Sequence, residues 1–156
     1  MSDFVKVDHL EDLDSESKYT VHKAKDVLSH AYAPYSKFMV AAAVLLEDGT
    51  IITGTNQENA AYPSCMCAER VALFAAVAQH PDTPIKKIAV VARKKSSKDL
   101  VPATCCGPCR QVLLEFETRQ QKQIEVVMQN QDHHWIIAPS AQSLLPFAFT
   151  GSSLGH

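Results

Sequence analysis

Apolar positions along the chain change their period several times, and each change marks an element. From Glu16 to Tyr32 the residues Tyr19, Ala24, Val27, Leu28 and Ala31 recur near helical spacing, and Pro34 stops the run. That stretch predicts a helix. Phe38 to Leu46 and Ile51 to Thr55 predict two strands, with Glu47-Asp48-Gly49-Thr50 between them and Asp-Gly as the hairpin turn. Ala68 to His80 is rich in Ala, Val and Leu and meets no Gly or Pro before Pro81, which predicts a buried helix. Ile85 to Ala92 is largely apolar and β-branched, the pattern of a central strand. Pro108 to Arg119 predicts another helix, with Val112, Leu113 and Phe116 facing inward. Ile124 to Met128 and Trp135 to Ala138 predict two short strands, and Ser140 to Leu145 a short helix.

This order implies an α/β protein: a three-layer α/β/α arrangement around a single mixed sheet of about five strands. No repeat, low-complexity tract or linker divides the sequence, so residues 1–156 are expected to form a single domain. Only the first dozen or so residues, within 1–14, lack a pattern and are expected to be loosely tethered.

Composition narrows the class of function. The chain has 156 residues, of which 46% are hydrophobic and 21% charged, ordinary values for a globular domain. Fifteen basic against 17 acidic residues give a net charge of −2, which argues against a dedicated nucleic-acid binder. The longest apolar run, Phe38 to Leu46, is under half of the roughly 20 residues a membrane-spanning helix needs. The opening Met-Ser-Asp-Phe-Val-Lys has no apolar stretch of signal-peptide length, so a cytoplasmic protein is expected.

The five cysteines carry the chemistry. All lie in two clusters, Cys65-Met66-Cys67 and Cys105-Cys106-Gly107-Pro108-Cys109. In a reducing compartment clustered thiols bind metal or do redox work more often than they form structural disulfides. Three arrangements fit the spacing. Cys65, Cys67, Cys106 and Cys109 could close a structural four-thiolate zinc site. Three thiolates could hold a catalytic zinc and leave its fourth position open to water. Cys106 and Cys109 could instead be a low-pKa redox dithiol. Both clusters precede a predicted helix, whose unpaired N–H groups and dipole favour thiolates at its start.

Glu69 lies two residues beyond Cys67. A carboxylate beside an open zinc site, not itself a ligand, can take a proton from water and later give it back. It could equally be an acidic residue favoured in a first helical turn.

Longer motifs surround these residues: Tyr35-Ser36-Lys37-Phe38, Gly54 to Tyr62, Cys67-Ala68-Glu69-Arg70, Cys106 to Gln111 and Leu144-Leu145-Pro146. Together they resemble the small, homotetrameric type of zinc-dependent cytidine deaminase, over roughly Ala31 to Phe149. The resemblance implies Zn²⁺ held by Cys67, Cys106 and Cys109, with Glu69 as proton shuttle. It implies that Phe38 packs on the pyrimidine, that Asn56 and Glu58 bind the ribose hydroxyls, and that the Ala68 backbone meets the base edge. Tyr62 would line a site, its own or a neighbouring subunit's. Phe149 would reach a neighbouring subunit's site or pack the C-terminal helix. Arg70 would hydrogen-bond the sulfurs: three thiolates and Zn²⁺ sum to −1, and a guanidinium withdraws part of that charge.

The expected activity is deamination of cytidine and deoxycytidine in pyrimidine salvage, by a homotetramer acting on a free nucleoside. The alternatives are another aminopyrimidine nucleoside or blasticidin-type antibiotic as substrate, polynucleotide editing, and a non-catalytic zinc-stapled module. The basic stretch Arg93-Lys94-Lys95 to Lys98 is read as solvated loop charge rather than a polymer channel. Cys105 stands where the family pattern has Pro, and Pro108 lies between the paired cysteines. Cys65 and Cys105 are read as spare thiols. The seven histidines are not needed for the site.

Overall fold

Alternation along β2 (Phe38–Leu46) sets the layers. Ala42, Val44 and Leu46 enter one core, and Met39, Ala41 and Ala43 enter another on the opposite face. A strand buried on both faces must be covered on both, and helices do this. In this computed structural model, which describes residues 3–156, α1 (Ser15–Lys25) covers one face. The other face carries α2 (Ala68–Gln79) and α3 (Gly107–Gln120).

The sheet has seven strands rather than about five: β1 (Val5–Val7), β2, β3 (Ile51–Thr55), β4 (Ile85–Lys94), β5 (Leu100–Val101), β6 (Glu125–Gln129) and β7 (Trp135–Ala138). Their order is β1-β7-β6-β4-β2-β3, with β5 also paired to β4. β4 and β6 are parallel and every other pair is antiparallel, so the sheet is mixed as expected. The two added strands hold three and two residues, too few to show an alternation.

From Val5 to Asp14 the chain is tied to the fold. Val5, Lys6 and Val7 pair with Ile137, Ile136 and Trp135 at the sheet edge. Leu13 is buried under α1, and the Asp14 carboxylate accepts from the Ser17 N–H at 2.9 Å to cap that helix. Pairing and capping supply the order that apolar periodicity did not reveal. Met1 and Ser2 lie outside the described residues.

The helix expected over Glu16 to Tyr32 ends at Lys25, and Leu28–His30 forms a separate 3-10 turn. Beyond it the chain is extended: the Tyr32 N–H donates to the Asn56 carbonyl at 3.0 Å, and Tyr32 pairs with Gln57. Tyr19 faces out, whereas Ser17 and Thr20 are buried. Ser17 is buried because its hydroxyl accepts from Lys87 Nζ at 2.7 Å, which anchors α1 to β4.

The expected C-terminal helix is one 3-10 turn, Gln142–Leu144. The N–H groups of Ala141 and Gln142 at its start donate to the Glu117 carboxylate at 2.7 and 3.1 Å. β3 and α2 meet closely: a Cβ on Gly54 would lie 2.5 Å from the Ala72 nitrogen, so only glycine allows this packing. No helix among the described residues is long and apolar enough to cross a membrane.

α2 leads into β4 and α3 into β6, so both helix N-termini face the edge where this parallel pair ends. The Ala103 N–H donates to the Gln129 carbonyl at 3.0 Å and pins the segment before α3 to the last residue of β6.

Candidate active site

Cys67 and Cys106 are the N-cap residues of α2 and α3, each with an extended backbone. The two helix starts converge on one point. Cys67 Sγ lies 3.7 Å from Cys106 Sγ, and Cys106 Sγ lies 3.4 Å from Cys109 Sγ. All three sulfurs fall within 4.8 Å of one another. Tetrahedral zinc with bonds of about 2.3 Å to sulfur holds its thiolates roughly 3.8 Å apart, so the donor set fits that ion. Cys109 is buried and Cys106 exposed, which leaves the cluster open on one side.

The other two thiols stand apart. Cys65 Sγ accepts from the Asn59 N–H at 3.3 Å, directed at that loop rather than at the cluster. Cys105 is buried in the core that α2 and α3 share with the sheet, and burial pushes its thiol well above the ordinary range. Cys106, not its neighbour Cys105, joins Cys109. The cluster therefore has three thiols rather than the four of a structural staple.

Glu69 is in the first turn of α2 and only 4% exposed. Its Oε2 accepts from the Cys109 thiol at 3.0 Å. Burial pushes the Glu69 carboxyl above its usual range, and the hydrogen bond from Cys109 opposes that only in part. Arg70 Nη2 donates to Cys67 Sγ at 3.3 Å. Contact with Cys109, aided by Arg70 against partial burial, holds the Cys67 thiol down at about 5. A helix start, a guanidinium and a neighbouring thiol thus favour thiolate at Cys67, the form that ligates metal, whereas contact with Cys67 and burial push the Cys109 thiol well above the ordinary range.

Cys67 and Cys106 of the cluster line a cleft of about 540 Å³, within the range of small-molecule sites. Phe38 and Val40 of β2 face it, as do Asn56 and Glu58 beyond β3, and Ala68 at the start of α2. Cys65, Met66, Pro102, Ala103, Thr104 and Gln131 lie along the rest of it. An aromatic face, polar side chains and a buried carboxylate beside a metal-competent thiol cluster suit hydrolysis of a flat heterocycle.

Residues 14–124 match the cytidine and deoxycytidylate deaminase zinc-binding region family. The chain belongs to that family. A cytidine deaminase of Sporosarcina psychrophila is 48% identical over 62% of this chain and 66% of its own length. One from Halalkalibacterium halodurans is 40% identical over 80% of this chain and 86% of its own. A crystal structure of cytidine deaminase from Burkholderia pseudomallei superposes with a TM-score of 0.71 at 39% identity, over 88% of this chain and all of that one.

Within this deaminase-family fold the expected substrate residues divide. Phe38, Asn56, Glu58 and Ala68 lie on the cleft with Cys67, Cys106 and Glu69. Tyr62 and Phe149 do not line it; they are 69% and 60% exposed. The Tyr62 ring packs edge-on against Tyr35 at 5.8 Å, and the Phe149 carbonyl accepts from Gln111 Nε2 at 2.9 Å.

Asn56 and Glu58 also shape the cleft itself. Asn56 Oδ1 accepts from the Val40 N–H at 2.9 Å, and its Nδ2 donates to the Phe38 carbonyl at 2.9 Å. The side chain thus pairs with β2 as a further strand residue would. The Glu58 carboxylate accepts from the N–H groups of Tyr35 and Ser36 and from the Ser36 hydroxyl. Each keeps unused lone pairs or an amide hydrogen for a ligand.

Pro102 to Thr104 and Gln131 were not anticipated. The first group lies just before the Cys-x-x-Cys run, a local signal that could have pointed to it. Gln131 has no local signal, because only the turn from β6 into β7 carries it to the cleft.

Proposed function

We propose that the protein is a zinc-dependent hydrolytic deaminase that converts cytidine and 2′-deoxycytidine, with water, to uridine and 2′-deoxyuridine and ammonia. The observation that carries this reading is the convergence of Cys67, Cys106 and Cys109 beside the buried carboxylate of Glu69. Cys67, Cys106 and Cys109 hold the zinc, which when bound supplies Lewis-acid activation of water. Glu69 takes the proton of that water and delivers it to the ring nitrogen and then to the leaving amine. Its burial favours the protonated form the shuttle needs midway.

Phe38 packs on the pyrimidine face and the Ala68 backbone meets the base edge. Asn56 and Glu58 take the ribose hydroxyls with the bonding capacity their backbone contacts leave free. Arg70 draws charge from the Cys67 thiolate and keeps the metal electrophilic; its guanidinium lies at 3.3 Å from that sulfur.

Residues 1–156 act as one catalytic domain, and four copies assemble into a homotetramer. The exposure of Tyr62 and Phe149 outside their own cleft supports placing them at a neighbouring subunit's site. Five free thiols support a cytoplasmic location, and a free nucleoside as substrate supports a role in pyrimidine salvage.

An absorbance assay of cytidine, deoxycytidine, free cytosine and an aminopyrimidine nucleoside antibiotic, run with metal analysis, tests the reading. Turnover of the first two with one zinc per chain is the expected result. Turnover of the antibiotic alone would move the substrate to that class, and a zinc-loaded protein inert towards all four would contradict an enzyme.

A further inference from the structure

The lysines of β4 differ between its two ends. At the first end Lys86 Nζ lies 2.7 Å from a Glu16 oxygen, and Lys87 Nζ lies 3.0 Å from the other. At the second end Lys94, and just beyond it Lys95, have no ion-pair partner among the described residues, nor has Lys37, whose charge acts on the Glu58 carboxylate without a direct ion pair. Lys37, Lys94 and Lys95, with Ser36 and Ser96, line a groove of about 430 Å³ whose remaining wall is Phe38.

Main-chain bonds fix this groove. Phe38 pairs with Lys94 across β2 and β4, and the Lys95 N–H donates to the Lys37 carbonyl at 2.8 Å. Arg93 Nη1 donates to the Ser97 carbonyl at 3.1 Å and closes the turn that follows. Like charges held on neighbouring strand ends oppose one another. An anion between them would relieve that opposition, and hydroxyls and ammonium groups are the donors a phosphate takes.

The groove is continuous with the cleft. Phe38 belongs to both, and the Ser36 hydroxyl of the groove donates to Glu58 of the cleft. A group attached to a ribose at Glu58 would next meet Ser36 and Lys37.

We propose that the groove is an anion subsite for a phosphate esterified to the ribose of a pyrimidine nucleoside. A nucleotide then spans both spaces, its base in the cleft and its phosphate among Lys37, Lys94 and Lys95. The assignment rests on the nucleoside reading of the cleft, and it adds a class of ligand that competes with the nucleoside. The ester position, 3′ or 5′, is left to the experiment because the phosphate chemistry is the same.

Titration calorimetry on the zinc-loaded protein tests this with uridine and its 3′- and 5′-monophosphates, which have no amine to lose. One of the two esters should bind about fivefold more tightly than uridine at low salt, as two or three exposed charge contacts would give. The advantage should vanish in the double variant Lys37→Gln, Lys95→Gln and in about 0.5 M KCl, while uridine binds unchanged. Esters that bind no better than uridine, or an advantage that survives in the double variant, would overturn the assignment. An oligocytidine binding more tightly than both monophosphates would overturn it in favour of a polymer. Inorganic phosphate, titrated alone, separates the two readings. If uridine does not bind, the nucleoside reading fails, and phosphate binding that is lost in the double variant still supports the groove. If neither phosphate nor an ester shows lysine-dependent binding, the groove fails on its own.

Discussion

Two glutamates are buried on the same face of the sheet, and they are treated in opposite ways. Glu117 of α3 is 8% exposed and Glu69 of α2 is 4% exposed. Glu117 Oε2 accepts from the N–H groups of Ile124 at 2.8 Å and Ala141 at 2.7 Å, and its Oε1 from that of Gln142 at 3.1 Å. It stitches α3 to the chain before β6 and to the turn after β7. Glu69 has the Cys109 thiol at 3.0 Å and burial that raises its affinity for a proton. A buried carboxylate costs several kcal/mol unless donors replace water. Main-chain donors meet that cost at Glu117, which makes it a structural pin. Glu69 lacks such a set and faces the cleft, which makes it a group that can exchange a proton.

Four substitutions break or sharpen this contrast. Cys109→Ser removes both the thiol at Glu69 and a proposed zinc ligand, so bound metal and cytidine turnover should each fall by more than about 100-fold. Metal analysis beside the absorbance assay would show it, and a zinc-loaded active variant would break the ligand assignment. Arg70→Ala should lower turnover or zinc affinity about 10- to 100-fold, the usual effect of losing a partner to a metal ligand. Its urea midpoint should stay near that of the native protein.

Glu117→Ala should act on the opposite property. Leaving buried N–H groups of Ile124 and Ala141 without acceptors should cost about 3 kcal/mol in urea unfolding, with turnover per folded molecule preserved. A stable but inactive Glu117→Ala would erase the distinction drawn between the two carboxylates. Cys65→Ser should do least: zinc content and turnover should stay within about twofold of the native values. Loss of zinc from that variant would restore the four-thiolate staple.

Much of this was legible in the sequence, for identifiable reasons. Phe38–Leu46, Ile51–Thr55 and Trp135–Ala138 have the bounds that pattern and turn residues predicted, because local alternation and tertiary burial agree there. β1 and β5 were not legible: strands of three and two residues exist only through their partners. The helix from Glu16 was drawn too long because Tyr32 is captured by Asn56 and Gln57, contacts remote in sequence. At the site, Cys105 was read as a spare thiol, and the fold buries it in the core while Cys106 joins the cluster. The double duty of Asn56 and Glu58 could not be read, since it depends on where the start of β2 lies against the end of β3. Exposure of Tyr62 and Phe149 was equally invisible to a pattern of residue types.

The contrast between the two carboxylates rests on one residue, and Glu69→Gln tests it most directly. The variant keeps the size of the side chain and its contact with Cys109 but cannot carry the proton. Zinc content and cytidine turnover should be measured on the same preparation, beside the native protein. The account predicts one zinc per chain, an unchanged unfolding midpoint and turnover reduced by about 10²- to 10⁴-fold. A zinc-loaded Glu69→Gln that deaminates cytidine at a rate comparable to the native protein would contradict it.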